Sequence, residues 1–463
     1  MRIALSLVLL TDLVIRSLSI KAHYSDEGVL PISILKQYNW NPYYFSLHAI
    51  SGSVWFEAFL FILNALCVLC LLIGYRTRLF TFICWIFLVS LQNRNPFILQ
   101  GGDELLRLAI FWGMFLPWGE RYAVQTPTKR DNDYFSFANL GYIILVASVY
   151  FFSALLKASP EWHEEGSAIY YALSLDQIRM PLGSILYRHP DLMRFMTHFV
   201  YWLEVVAPLL MILPLKPKYS RWIGALGIFC LHLGIVSTLY VGLFYIIGIS
   251  TLVGMIPPHL ADKIEQKFFP GAAEKRALIP DEKTNRWLSF IRLNISIYAI
   301  LLIAYCLMLN LGQVKKFRYE LRYELLGISN ILRLEQSWGM FAPAVLKDDG
   351  WYIYAGFTDD RKLIDIGNDK DSIDYTKPER VVAAYESDRW RKFGENYTFN
   401  NNNHMRPYFC QYLIREWNRK HPAKHITEAN VYYMQETTLP DYKTKPIQKI
   451  TVCNCRENTE THE

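Results

Sequence analysis

Charge is scarce over the first two thirds of this chain. Only 19% of its 463 residues are Asp, Glu, Lys or Arg, 52% are hydrophobic, and the mean hydropathy is +0.11. That balance is too apolar for an ordinary soluble protein and too charged for membrane throughout. Several chemical signatures are also missing. No HExxH metal signature, glycine-rich phosphate loop or GxSxG nucleophile elbow occurs, so no metal is expected. Cysteine is sparse: Cys67, Cys70, Cys84, Cys230 and Cys306 lie in apolar runs and read as small buried hydrophobes, the CxxC spacing of the first two included. Cys410, Cys453 and Cys455 lie in polar sequence and allow one disulfide, with one thiol left over. The net charge of +6 needs no nucleic-acid partner, because basic residues beside membrane spans account for it. The first twenty residues lack the unbroken apolar core of a signal peptide. Asp12 and Arg16 interrupt it one helical turn apart, which predicts a retained first helix with an internal ion pair.

What is present is a series of apolar runs with short polar joints, followed by sequence rich in Lys, Arg, Asp, Asn and Tyr. The expected architecture is a mainly α polytopic bundle over residues 1–312 and a small α+β extramembrane domain over 313–463. Nine spans are expected, at about 1–20, 52–74, 79–92, 104–118, 134–157, 192–215, 222–242, 243–260 and 288–312. With a cytoplasmic N-terminus, fourteen Lys and Arg fall in inner joints and five in outer ones. The positive-inside rule then places the C-terminal domain outside the cytoplasm.

Within the apolar runs stand a few ionisable groups. Lys157 ends the stretch Tyr150-Phe151-Phe152-Ser153-Ala154-Leu155-Leu156 and precedes Trp162. A lysine at such a boundary either snorkels to the interface or becomes a neutral amine able to act as a base. Glu204 and His232 lie deep in the sixth and seventh expected spans, where burial of a polar group demands a partner or a polar cavity. Asp103 follows Gly101-Gly102 and reads either as an N-cap of the fourth span or as a member of an internal site. Together Asp103, Lys157, Glu204 and His232 are too many polar groups for a passive bundle. In the polar third, 351–357 and 363–366 read as strands, 404–420 as a helix, and 428–437 and 446–453 as further strands. Asn396-Tyr397-Thr398 fits a glycosylation sequon.

Four stretches and a fifth motif carry a family resemblance. They are Tyr24-Ser25-Asp26-Glu27-Gly28-Val29-Leu30-Pro31; Arg94-Asn95-Pro96 with Gly101-Gly102-Asp103; Tyr150-Phe151 through Lys157 to Trp162; and His232-Leu233-Gly234 with Leu239-Tyr240-Val241-Gly242-Leu243-Phe244. Trp338-Gly339-Met340-Phe341 follows the last span. In this order they resemble the horizontally transferred transmembrane domain family, typified by the vitamin K-dependent γ-glutamyl carboxylase. The resemblance covers most of residues 1–365. It implies a base at Lys157 that deprotonates a reduced vitamin K or menaquinol-type quinol, with O2 and CO2 as co-substrates. The quinol leaves as its epoxide, and a peptide or protein glutamate is carboxylated. It also implies a pocket near Asn95, Trp162, Glu204 and Trp338, with His232 and Asp103 beside the base. Asp103 falls where the carboxylase carries a histidine, and the chain is shorter than the animal enzyme. Quinol oxygenation is therefore the better-supported half, and a bacterial inner membrane the expected location. The competing expectation is a non-catalytic binding or assembly protein on the same scaffold, with Lys157 turned outward to Glu161 or Glu164.

Overall fold

The computed structural model describes residues 1–125, 136–213, 217–268, 286–317 and 322–457. The molecule is mostly helical with one small antiparallel sheet near its C-terminus. Its longer helices are α1 (Arg2–Ser17), α2 (Val54–Ile73), α3 (Thr77–Arg94), α4 (Gly101–Gly113), α5 (Phe137–Leu156), α6 (Pro190–Ile212), α7 (Pro217–Thr238), α8 (Phe244–Leu252), α9 (Pro258–Phe268), α10 (Arg286–Gln313), α11 (Tyr323–Leu332), α12 (Asp388–Thr398) and α13 (Arg406–Lys420). Short helical turns join several of them.

Five helices are long and apolar enough to cross a membrane: α2, α5, α6, most of α7 and most of α10. They mark a membrane protein. The pair α8 and α9, bent by 101°, makes a sixth only if counted as one span. The other three expected spans differ for physical reasons. α1 has 16 residues and carries Asp12 and Arg16. α4 has 13 residues, roughly 20 Å of helix against a hydrocarbon thickness of about 30 Å. α3 ends on Gln92-Asn93-Arg94. From Leu105 to Gly113 every residue of α4 is buried, as is every residue of α3 from Phe87 to Arg94. Their apolar character serves the interior of the bundle rather than lipid contact. Of the basic residues that oriented the chain, Lys129, Arg130, Lys216, Lys275, Arg276 and Lys283 lie outside the described residues.

Helix ends are set by local chemistry. α2 stops at Gly74, whose φ of +81° returns its N–H to the carbonyls of Cys70 and Leu71. α5 starts at Ser136, whose Oγ accepts the Asn139 N–H at 3.2 Å. It ends at Leu156 because Lys157 takes a non-helical ψ of 82°, three residues before Pro160 opens the next helical turn.

The sheet has the order β2-β1-β3-β4, all antiparallel, with β1 Asp348–Phe357, β2 Leu363–Asp365, β3 Glu428–Thr437 and β4 Gln448–Arg456. Asp348 pairs with Thr437 and Phe357 with Glu428, so β1 and β3 are matched over their whole length. α13 packs on β3 and β4. A disulfide joins Cys410 to Cys455 and leaves Cys453 free. Asn396, the sequon residue, donates to the Phe97 carbonyl at 2.8 Å and so belongs to the contact between α12 and the bundle.

Candidate functional site

Tyr150, Ser153 and Lys157 recur at spacings of three and four on α5 and its cap, which puts them on one helix face. This face meets α6, the helix that carries Glu204. Lys157 is 3% exposed and turned inward. Its Nζ ion-pairs with Glu204 Oε2, donates to Ser153 Oγ at 2.7 Å, and lies 4.8 Å from the centroid of the Trp162 ring. Glu161, one of its expected outward partners, is occupied elsewhere: it pairs with Lys347 at 2.7 Å and accepts the Val345 N–H at 3.2 Å. Glu204 sits one turn before Pro208 inside α6. Proline has no N–H, so the Glu204 carbonyl is released from the usual helical bond to residue 208.

Beside this pair, Tyr150 Oη and His232 Nε2 are 2.7 Å apart. His232 is fully buried and its Nδ1 has no hydrogen-bond partner among the described residues. Its ring fits only because residue 248 is glycine, where a Cβ would come within 2.1 Å of Nε2.

These groups border a cavity of about 640 Å³ between the bundle and the sheet domain. That volume is within the range of small-molecule sites, roughly 300–1,000 Å³. Its bundle wall includes Tyr150, Ser153, Glu204, Leu231 and Phe244, and its roof includes Trp338 to Ala342 together with Arg391, Lys392, Glu395 and Asn396 of α12. Lys157 and His232 stand behind the wall, each hydrogen-bonded to residues that form it. The 157–163 turn and the roof segment are laced together: Ser159 N–H donates to the Pro343 carbonyl at 3.1 Å, and Trp162 Nε1 to the Phe341 carbonyl at 3.0 Å. Another wall segment, Leu175 to Ile178, is held from the sheet, because Asp349 in β1 accepts the Asp176 N–H.

Two expected site residues lie elsewhere. Asp103 is not the N-cap of α4. Gln100 is, and Asp103, three residues in, accepts the Gln100 N–H at 2.9 Å. Its carboxylate is saturated by Arg16 at 2.5 Å and Arg389 at 2.5 and 2.8 Å. Asp12 closes the ring, 2.7 Å from each of the same arginines. The ion pair expected within α1 is thus half of a four-membered buried network, with Tyr24 Oη 2.7 Å from Arg16. Asn95 is buried and structural, capping the turn at Pro96–Ile98 through Phe97 N–H and donating to the His23 carbonyl. Trp338 does line the cavity, and Trp162 underlies the lysine.

Sequence reasoning missed Tyr150 and Ser153 as site members, although their spacing from Lys157 was a usable signal. It also missed Glu104, whose Oε2 accepts the Ser337 N–H at 2.7 Å at the cavity edge, and Arg389, which no local pattern reveals. The four-residue spacing of His421 and His425, also passed over, suits a metal. However, each faces a single carboxylate, Asp369 and Glu457 respectively, and no group of three ligands forms among the described residues. Comparison with protein-family models, curated proteins and solved structures finds no match to this chain.

Proposed function

We propose that the protein is an integral membrane enzyme of the vitamin K-dependent carboxylase type, which deprotonates a reduced quinone and oxygenates it to its epoxide. One observation carries the proposal: a buried lysine–carboxylate pair at the wall of a ligand-sized cavity between an apolar bundle and its roof. An acid–base pair held out of water keeps its proton chemistry for a bound substrate.

Glu204 is the member that reaches the cavity, and Lys157 is the counter-charge behind it. A quinol hydroxyl that meets Glu204 gives it a proton, and the Lys157 ammonium then offsets the negative charge left on the quinol oxygen. Charge inside the cavity is conserved, which avoids the desolvation cost of creating a lone ion. The quinolate reacts with O2, one oxygen atom staying in the epoxide and the other leaving as water. Tyr150, oriented by His232, is the hydroxyl placed to donate to a developing oxyanion. Carboxylation of a peptide glutamate, with CO2 as co-substrate, is the coupled reaction to be tested. We place the protein in a bacterial inner membrane from the family resemblance; the tally of basic joints assumed nine spans and does not carry over to the five found.

The test is turnover of reduced phylloquinone and menaquinone by purified protein in detergent, with O2 and labelled bicarbonate, beside Lys157→Ala and Glu204→Gln. Epoxide from the wild type that both variants fail to make is the expected result, and label in an added glutamate peptide extends it to carboxylation. No epoxide from either quinol overturns the enzyme in favour of a binding or assembly protein. The ion-paired docking of the sheet domain onto the bundle would serve that role as well.

A further inference from the structure

The cavity is bordered by two bundle carboxylates from different walls. Glu204 projects from the middle of α6, and Glu104 from the first turn of α4. They are built alike. In each, Oε2 is tied to protein, by Lys157 Nζ in one case and by the Ser337 N–H in the other. In each, Oε1 accepts no hydrogen bond from the described residues. Glu204 is 6% exposed, so its free oxygen has the cavity and little else to face. The third carboxylate of the lining, Glu395, is different, because both of its oxygens are taken by Lys392 at 3.0 Å. The cavity thus offers two open acceptors on separate walls, with apolar surface from Val149, Leu231, Ile235 and Phe244 between and around them.

A ligand that engages both acceptors has two hydroxyls on an apolar body. We infer that Glu104 is the second substrate-contacting carboxylate, binding the far hydroxyl of a 1,4-dihydroxyarene whose near hydroxyl meets Glu204. This rests on the quinol reading and narrows it: the site selects diols over monophenols. A monophenol, or a quinol with one hydroxyl methylated, leaves one of the two acceptors unpaired, and a site built to bind a hydroxyl rejects the analogue lacking it.

The test measures binding rather than turnover. Tryptophan quenching, to which Trp338 in the cavity roof contributes, reports the Kd of a short-chain 1,4-hydroquinone and of its monomethyl ether under anaerobic conditions. Wild type is expected to bind the diol about tenfold or more tightly than the ether. Glu104→Ala should bring the two affinities together by weakening the diol alone. Glu104→Gln keeps an acceptor for the Ser337 N–H, so it controls for the roof contact and should retain the thermal stability of the wild type. Diol preference that survives in Glu104→Ala overturns the role of Glu104 while leaving the quinol site intact. Failure of the wild type to bind either compound overturns the quinol reading itself.

Discussion

Two ionic assemblies are buried in this chain, and they are built to opposite ends. The network of Asp12, Arg16, Asp103 and Arg389 closes on itself: four formal charges cancel, and both oxygens of each carboxylate are occupied. The pair of Lys157 and Glu204 also cancels in charge, but it has a cavity at its side and a carboxylate oxygen to spare. Burial is nearly the same in the two places. What separates the two is therefore unspent hydrogen-bonding capacity next to empty space. The clamp also has a long reach. Arg389 comes from the sheet domain and fixes α12, and with it the cavity roof, to α1 and α4.

The contrast can be broken most sharply at the cavity. Glu204→Gln should lower epoxide formation about 10²–10⁴-fold, the usual worth of a positioned base, and Lys157→Ala, which strips that base of its counter-charge, should fall in the same range. Asp103→Asn should leave turnover per folded molecule near that of the wild type. Equal loss of turnover at Asp103 would erase the distinction. The next effect is on stability. Arg389→Ala strips the clamp of one cation and leaves two buried carboxylates to share Arg16, which should cost about 3–5 kcal/mol in denaturant unfolding of the solubilised protein. A smaller loss, about 2–4 kcal/mol, is expected for Cys410→Ala, because the disulfide closes a separation of 45 residues within the sheet domain. This change should move domain unfolding and spare the cavity.

The last effect, smallest per unit of the change applied, is a pH dependence. Burial, with Asp176 nearby, pushes the Asp349 carboxyl from 3.8 up to about 7, against the pull of the Gly350 and Asp176 N–H groups and Lys377. The folded protein holds this proton more tightly than the unfolded chain. Stability from this group is therefore greatest below about pH 4 and declines as pH rises to about 7, by no more than roughly 1.4 kcal/mol per pH unit. Asp349→Asn should flatten that slope in unfolding curves measured across the window. A slope that persists assigns it to another group.

Much of the sheet domain was legible because alternation and turn residues are local signals. The strand expected at 428–437 has those bounds, and the expected helix 404–420 is found at Arg406–Lys420. The i,i+4 pairing of Asp12 with Arg16 was legible for the same reason. In the bundle, hydropathy alone could not tell a lipid-facing helix from a buried one. α3 and α4 are as apolar as a span over part of their length, but they are wrapped by protein, and their length and polar ends reveal this only in part. The partners of Lys157 and Asp103 were hidden for another reason. Glu204 lies 47 residues from its lysine and Arg389 lies 286 from its aspartate, and no periodicity spans such distances. Asp103 looked functional because it is an ionisable group in apolar sequence, and the arginines that neutralise it, Arg16 and Arg389, lie far from it in the chain.

The roof of the cavity has a consequence for how the protein is made. The wall at Tyr150 and Glu204 leaves the ribosome long before Trp338, and Asn396 follows later still. A bundle that has just been inserted therefore has an acidic groove and no enclosed chamber. The chamber closes only when the sheet domain has folded and Arg389 has found Asp12 and Asp103. A chain arrested or clipped before α12 keeps Lys157 and Glu204 paired and has no enclosed chamber beside them.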